Sequence, residues 1–417
     1  MQKIIINGGH ELTGEIKISG AKNSAVALIP AAILSDDEAS IFNVPKISDI
    51  SALTEILEKL NCVCELDSDS IKINTKNIKN ALIEEALSSK LRASYYFMGA
   101  LLSRFKKVEM FFPGGCKIGT RPIDLHLKGF EKMGAKVTMS DTDKYVIEAE
   151  ELKGARIYLD FASVGATINL ILAAARAKGE TVISNAAKEP EIVNVATFLN
   201  NMGAQIFGAG TSEIKIIGVD KLSGGMIDVI PDRIEAGTYV IIGALLGKNL
   251  KITDIIPLHI EALTSKLKEM GASFEIDENS IILNKCEELK PINIKSLTYP
   301  GFPTDLGQPM TTLLTQCNGV SFFEETIYEN RIGHIEELNK MGANIKNIQP
   351  NAIVYGKTPL KGCEVKSTDL RAGAALVIAG LIASGKTIID DAEHILRGYE
   401  NITEKLKAVG AKIELKN

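Results

Sequence analysis

An α/β protein of six similar units, grouped as two domains of three units each, is the fold this sequence predicts. Three observations carry that expectation. First, FEKMGAKV, FLNNMGAQI, LKEMGASF, LNKMGANI and LKAVGAKI share one pattern: an amphipathic helix ends, a glycine and a small residue follow, and a strand begins. Second, a more apolar helix recurs in the units, as in 92–105, 162–179, 233–247 and 371–385. Third, strands such as ETVISNA, NLKITDI and KTIIDDA follow those helices.

The recurrent glycines are Gly134, Gly203, Gly271, Gly342 and Gly410, spaced 68 to 71 residues apart. A degenerate sixth copy, LEKLNCVCEL, places Asn61 at that position, 73 residues before Gly134. Gly and Asn are the residues a left-handed helix terminus selects, so even this copy keeps the backbone requirement. The apolar helices carry apolar and small residues on most sides, which predicts burial rather than a surface stripe. In order, a unit reads strand, helix, strand, helix, strand, strand, with one buried and one amphipathic helix. Units of about 70 residues exceed the roughly 20–50 of a solenoid repeat. Two domains of three units fit known domain sizes better than one domain of six. No Pro-, Gly- or Ser-rich linker marks the boundary.

Composition narrows the class of protein. Hydrophobic residues make up 45% and charged residues 24% of 417, near the globular average, which argues against disorder and fibrous classes. The longest uncharged apolar run, 372–385, falls short of the roughly 18 residues of a membrane span. The opening MQKIIINGGHELTGEI lacks the basic-then-apolar order of a signal peptide. A cytoplasmic protein without a membrane partner is expected. With net charge −5, no Trp and 5% aromatics, a nucleic-acid partner is not expected. Six cysteines are too few for a disulfide framework.

Arginine is scarce: nine of 47 basic residues, at 92, 104, 121, 156, 176, 233, 331, 371 and 397. Its planar fork reads phosphate and carboxylate in a way that Lys cannot reproduce. In this chain each Arg is therefore informative; Arg104, Arg156 and Arg176 are assigned to solvated surface.

The most unusual segment is 111–126, FFPGGCKIGTRPIDLH. Glycines and prolines surround Cys116, with Lys117 and Arg121 close by. Adjacent cations favour the thiolate, and flanking glycines permit close approach to a ligand. An ordinary turn with an incidental cysteine is the alternative, but Cys116 has no apolar surroundings of the kind that bury a structural thiol. Cys62, Cys64, Cys286, Cys317 and Cys363 lie in or beside strand and helix patterns and are read as structural. Lys22 and Asn23 follow Gly20 at the start of an apolar helix, where an anion could meet a cation and free backbone donors. TDLRAG places Asp369 and Arg371, and HILRGYE places Arg397, at the entries of two helices in the last repeat. A helix cap is the alternative for Asp369, and equally for Asp305 in the PTD turn. Asn330 and Arg331 complete the polar turn positions. The five histidines are scattered, with no metal-ligand spacing, so no metal and no cofactor is expected. Arginines, Lys22 and a mobile thiol point to an anionic substrate, with the cysteine as acid or nucleophile.

Taken together, AKNSAVALIPAAIL, FPGGCKIGTRPIDLHLKGFE, FASVGATINLILAAA, PDRIEAGTY, FPTDLGQP, YENR, TDLRAGAALVIAGL and RGYENITEKL resemble the UDP-N-acetylglucosamine 1-carboxyvinyltransferase branch of the enolpyruvyl transferases. The match runs nearly end to end. It implies two inside-out α/β domains, each of three βαβαββ repeats with helices at the core, and an active site in the interdomain cleft. It also implies the boundaries: residues 1–20 with 231–417 in one domain, and 21–230 inserted as the other.

The implied reaction moves the enolpyruvyl group of phosphoenolpyruvate to the 3-hydroxyl of UDP-N-acetylglucosamine and releases phosphate, opening peptidoglycan synthesis. It runs by addition to a tetrahedral ketal and elimination, without metal or cofactor. On this chain the resemblance makes Cys116 the general acid and the target of fosfomycin, and Asp305 the acceptor of the hydroxyl proton. Lys22, Arg121 and Arg397 form the phosphate and carboxylate clamp, with Arg371 and Arg331 nearby. Asn23, Arg92, Arg121, Pro122, Ile123, Asp124, Leu125, Ser163, Val164, Gly165, Ile327 and Asp369 match the remaining substrate positions. Five of the nine arginines fall on these positions. Thr120 stands where many relatives have Pro. A single chain suffices for such an enzyme.

Three alternatives stand against this reading. The sister enzyme acting on shikimate 3-phosphate shares the fold but lacks the loop cysteine, so GGCKIG argues against it. A non-catalytic regulatory copy would be expected to have lost Cys116, Asp305 or Arg397, and all are present. A nucleic-acid 3′-end cyclase of related repeats would be more basic.

Overall fold

A computed structural model describes residues 2–89, 91–111, 122–140 and 144–416. The segment with Cys116, Lys117 and Arg121 lies outside the described residues. Contacts divide the chain into two compact units, one of residues 2–19 and 231–416, the other of 20–111 and 122–230.

Each unit contains three small sheets with a common plan. In the third sheet of unit 20–230, the strand Glu180–Ser184 pairs in parallel with Arg156–Tyr158 and antiparallel with Glu213–Ile217, which continues the hairpin with Gln205–Phe207. Ile183 thereby faces Ile157 on one side and Ile214 on the other, and all three are buried. The next strand positions turn outward, as period-two alternation requires of a sheet with one covered face. In the sheet of Lys107–Phe111, Lys144–Glu148 and Lys136–Met139 the outer parallel strand shrinks to a single bridge, Ile83 to Met110.

The chain borrows strands across its repeats. Met226–Asp228, late in sequence, lies parallel to Glu38–Phe42 of the first sheet. Leu12–Lys17 is the parallel partner of Gly247–Thr253. Lys3–Asn7 runs antiparallel between Lys386–Asp390 and Lys412–Lys416 and completes the last sheet.

The core of each unit is helical, with the sheets outside. In unit 20–230 the helices Lys22–Ala32, Tyr96–Phe105 and Val164–Ala174 are almost wholly buried. Their counterparts are Arg233–Leu246, Gly307–Leu314 and Leu370–Ile382. Small residues let these helices touch: a Cβ on Gly99 would stand 2.3 Å from the carbonyl oxygen of Asn169. Instead the Gly99 amide donates to Asn169 Oδ1 at 2.9 Å.

At the ends of the amphipathic helices the backbone is left-handed, as the repeat pattern predicts. Gly134, Gly203, Gly271, Gly342 and Gly410 have φ of 93°, 102°, 92°, 98° and 105°, and Asn61 has 64°. A second left-handed series was not read from the sequence: Asn43, Asn185, Asp254 and Asp391, each with φ of 54–55°, directly after a long strand. Two of them bind the end of the parallel neighbour, Asn43 Nδ2 to the Val229 oxygen and Asn185 Nδ2 to the Leu159 oxygen, both at 2.8 Å.

Some boundaries move. The segment 92–105 opens with a 3-10 turn, Arg92–Tyr95, before its α-helix. The helix expected over 162–179 is Val164–Ala174, because Ser163 caps its start by accepting from the Ala166 amide at 3.3 Å. Arg104 and Arg176 are not surface residues; their side chains are 12% and 14% exposed. Arg104 donates to the carbonyls of Ile33 and Ser35. Arg176 forks onto both oxygens of Asp36 at 3.1 Å. The carbonyls that end the first buried helix need donors, and these guanidiniums supply them. Arg156 is exposed and pairs with Glu213.

Candidate active site

In unit 2–19/231–416 the polar residues gather around Asp305. The turn Thr304–Leu306 leads into the buried helix Gly307–Leu314, and Asp305 caps neither. Its carboxylate lies between two guanidiniums, with Oδ1 at 2.6 Å from Arg331 Nη2 and Oδ2 at 3.0 Å from Arg371 Nη2. Both arginine side chains are nearly inaccessible, at 6% and 4%, whereas that of Asp305 retains 22%. Burial alone would raise the Asp305 carboxyl, but Arg331, Arg371 and Arg233 outweigh it and hold it well below the usual carboxylate range.

Arg371 reaches this point because Asp369 starts the helix Leu370–Ile382. Asp369 Oδ1 accepts from the amides of Arg371 at 2.8 Å and Ala372 at 3.0 Å, and Oδ2 accepts from Gln308 Nε2 at 3.3 Å. The helix-cap alternative for Asp369 is therefore realised, and the cap aims the adjacent Arg371. Ile327 lies beside the same cluster through its amide, which donates to Glu325 Oε1 at 2.8 Å. Arg397 follows the short helix Glu393–Leu396 and is partly exposed.

Arg233 was not singled out as a site residue. It opens the helix Arg233–Leu246 after its cap Asp232, lies over the Tyr299 ring at 5.5 Å, and contributes to the field on Asp305. Its scarcity among the basic residues was the available signal. A cavity of about 160 Å³ opens beside it, lined also by His259, Tyr299, Pro303 and Leu306. Burial, then Arg233, pushes the His259 imidazole down to about 4.

Unit 20–230 holds a second set. Lys22 is the first residue of the helix Lys22–Ala32, with Asn23 next, and its ammonium pairs with the buried Asp49 at 2.6 Å. Asp49 had no signature of its own in the sequence. Arg92, Asp124 and Gly165 come together around His126. Arg92 lies over the Tyr95 ring at 5.9 Å, and Tyr95 meets the His126 ring edge-on at 5.0 Å. A Cβ at Gly165 would stand 2.8 Å from Tyr95 Oη, so any larger residue there would have to displace the Tyr95 ring. Asn169 Nδ2 donates to the backbone carbonyl oxygen of Tyr95 at 3.0 Å and lies 2.8 Å from His126 Nδ1, which must then accept. Burial, then Arg92, pushes His126 down to about 3, leaving a neutral ring. Ser163 and Val164 form the capped start of the neighbouring helix, while Pro122, Ile123 and Leu125 flank Asp124 at the start of Asp124–Lys132.

Burial pushes the thiols of Cys62 up to about 11 and of Cys64 and Cys317 up to about 12, so they stay protonated. Among the described residues no group of three His, Cys, Asp or Glu could hold a metal ion. None of the described helices is long and apolar enough to cross a membrane.

The model of the EPSP synthase (3-phosphoshikimate 1-carboxyvinyltransferase) family matches residues 6–406. The chain belongs to the enolpyruvyl transferase family. Within it, the chain is 53% identical over 411 residues to a Listeria monocytogenes protein named UDP-N-acetylglucosamine 1-carboxyvinyltransferase 2, covering 99% of this chain and 97% of that one. A Geobacillus kaustophilus protein of the same name is 53% identical over 413 residues, covering 99% and 96%. The enolpyruvyl transferase fold is also seen in a Streptomyces tendae enolpyruvyl transferase, with a TM-score of 0.91 at 24% identity, covering 100% of this chain and 99% of that one. An Acinetobacter baumannii EPSP synthase covers 100% of both chains with a TM-score of 0.75 at 20% identity.

Proposed function

We propose that this enolpyruvyl transferase moves the enolpyruvyl group of phosphoenolpyruvate to the 3-hydroxyl of UDP-N-acetylglucosamine and releases phosphate, the first committed step of peptidoglycan synthesis. The observation that carries the reading is Asp305, a carboxylate kept ionised by buried arginines yet still 22% accessible. The relatives' names support the choice of acceptor.

In the addition step the 3-hydroxyl oxygen bonds to C2 of the enolpyruvate while Cys116 gives its proton to C3. The hydroxyl proton passes to Asp305. A carboxylate of such low basicity does not ionise the free alcohol; it takes the proton as the new C–O bond acidifies it. Lys22, Arg121 and Arg397 hold the phosphate and carboxylate of the donor. Elimination then breaks the bond from C2 to the phosphate oxygen, which leaves with the bonding electrons, while a proton from C3 returns to the Cys116 thiolate and the Asp305 proton passes to the released phosphate. Charge growing on the departing phosphate is held by preorganised cations. The reaction takes place in the cytoplasm and uses a single chain.

Phosphate release from phosphoenolpyruvate, measured with UDP-N-acetylglucosamine and in parallel with shikimate 3-phosphate, tests this. Release with the nucleotide sugar alone, blocked by fosfomycin, is expected; release with shikimate 3-phosphate alone, or with neither, overturns the reading. Cys116→Asp keeps measurable turnover, because a carboxylic acid can also donate a proton, and escapes inactivation by fosfomycin. Undiminished inactivation of that variant would place the nucleophile elsewhere.

A further inference from the structure

Two stretches of the Asp305 cluster meet on one buried acid. Glu325 follows the strand Val320–Glu324 and is 2% exposed. Its Oε1 accepts from Ser296 Oγ at 2.8 Å, the Ile327 amide at 2.8 Å and the Tyr328 amide at 3.2 Å. Its Oε2 accepts from Thr304 Oγ1 at 2.7 Å. Thr304 Oγ1 accepts in turn from Arg331 Nη1 at 3.1 Å, and the other terminal nitrogen of Arg331 holds Asp305 at 2.6 Å.

This chain of bonds has a fixed direction. A guanidinium only donates, so the Thr304 proton must point away from Arg331, toward Glu325. An acceptor is therefore required at the Glu325 Oε2 position. Arg331 is gripped from a second side as well, because its guanidinium lies 5.1 Å from the centre of the Tyr328 ring, and the Tyr328 amide is tied to Glu325. Arg331 Nε has no hydrogen-bond partner among the described residues, so Thr304, Asp305 and Tyr328 are the contacts that orient it.

We propose that Glu325 is a positioning residue for the transfer reaction: through Thr304 and Tyr328 it sets the guanidinium of Arg331 against Asp305, and through the Ile327 amide it sets the adjoining backbone. The inference rests on the transferase reading and adds to it a residue that no sequence motif marked. Glu325→Gln shows why the carboxylate matters. The Gln oxygen is retained at the three-donor position, which puts the NH₂ group against Thr304. The Thr304 hydroxyl would then face donors on both sides, and its own proton would lose its acceptor.

Three variants test it: Glu325→Gln, Thr304→Ala and Thr304→Ser. In Glu325→Gln and Thr304→Ala, kcat for phosphate release with UDP-N-acetylglucosamine falls about tenfold or more, while KM for phosphoenolpyruvate stays within about twofold. In carbon-13 spectra the Asp305 carboxyl, faced by Arg331, Arg371 and Arg233, titrates at higher pH in both variants. Thr304→Ser restores kcat and the titration, since it returns the hydroxyl. A residue with only a structural role would lower the melting temperature and leave the titration unmoved. Wild-type kcat and an unmoved titration in folded Glu325→Gln overturn the proposal, and so does a Thr304→Ser variant as impaired as Thr304→Ala. Should Glu325→Gln fail to fold, the two threonine variants decide. Should the wild type not turn over this substrate pair, the functional reading falls, and the Asp305 titration still decides the role of Glu325.

Discussion

Asp305, half-buried, and Glu235, buried, are acids of the same unit whose surroundings drive them in opposite directions. Three arginines hold Asp305 ionised. Glu235 has one cation, Lys405 Nζ at 2.7 Å, and an amide, that of Ser19 at 2.8 Å. Burial outweighs both, and the Glu235 carboxyl is pushed up to about 7 from an ordinary 4.5. Between those values the folded chain holds a proton that the unfolded chain has released. The stability from this group is therefore complete below about pH 4.5 and declines as pH rises toward 7. In Glu235→Gln that decline disappears, which urea midpoints between about pH 5 and pH 8 will register; a variant with the wild-type slope refutes the assignment. Among single residues, those whose type is scarce were legible in the sequence: Arg331 and Arg371 stood out in a Lys-rich chain. Asp49 and Glu325 did not, because acids are common here and their importance comes from partners distant in sequence, Lys22 and Thr304.

Elements were legible where the backbone itself restricts the residue. The six helix ends at Asn61, Gly134, Gly203, Gly271, Gly342 and Gly410 all adopt positive φ, which few residues accept. Gly203 isolates that effect, since a Cβ there would touch nothing within 4 Å. Gly203→Ala should cost about 1 kcal/mol through backbone strain alone. Gly203→Asn, which copies the first repeat, should cost less; chemical denaturation compares them, and equal losses would show that φ is not the cause. The left-handed series after the long strands was equally available, in FNV, SNA, TDI and DDA. Its flanking residues vary from unit to unit, so no phrase repeats there as Gly-Ala does at the helix ends. Helix starts were less legible: Ser163 stops one helix and the 3-10 turn at Arg92 delays another, both decided by local hydrogen bonds rather than periodicity.

At the scale of the molecule, repetition was readable and connectivity was not. The chain passes between its units at Ser19–Gly20 and Ile230–Pro231. Neither passage needs a flexible linker, because Leu12–Lys17 and Met226–Asp228 flank them as paired strands. Composition therefore carries no trace of them. The same borrowing of strands orders events on the ribosome. Residues 20–230 contain every strand of their three sheets, so that unit can fold as soon as it has emerged. Lys3–Asn7 leaves the ribosome long before its two neighbours, Lys386–Asp390 and Lys412–Lys416. That strand must therefore wait for its sheet, and until then its three buried isoleucines, Ile4, Ile5 and Ile6, stay open to any chaperone that binds extended apolar segments.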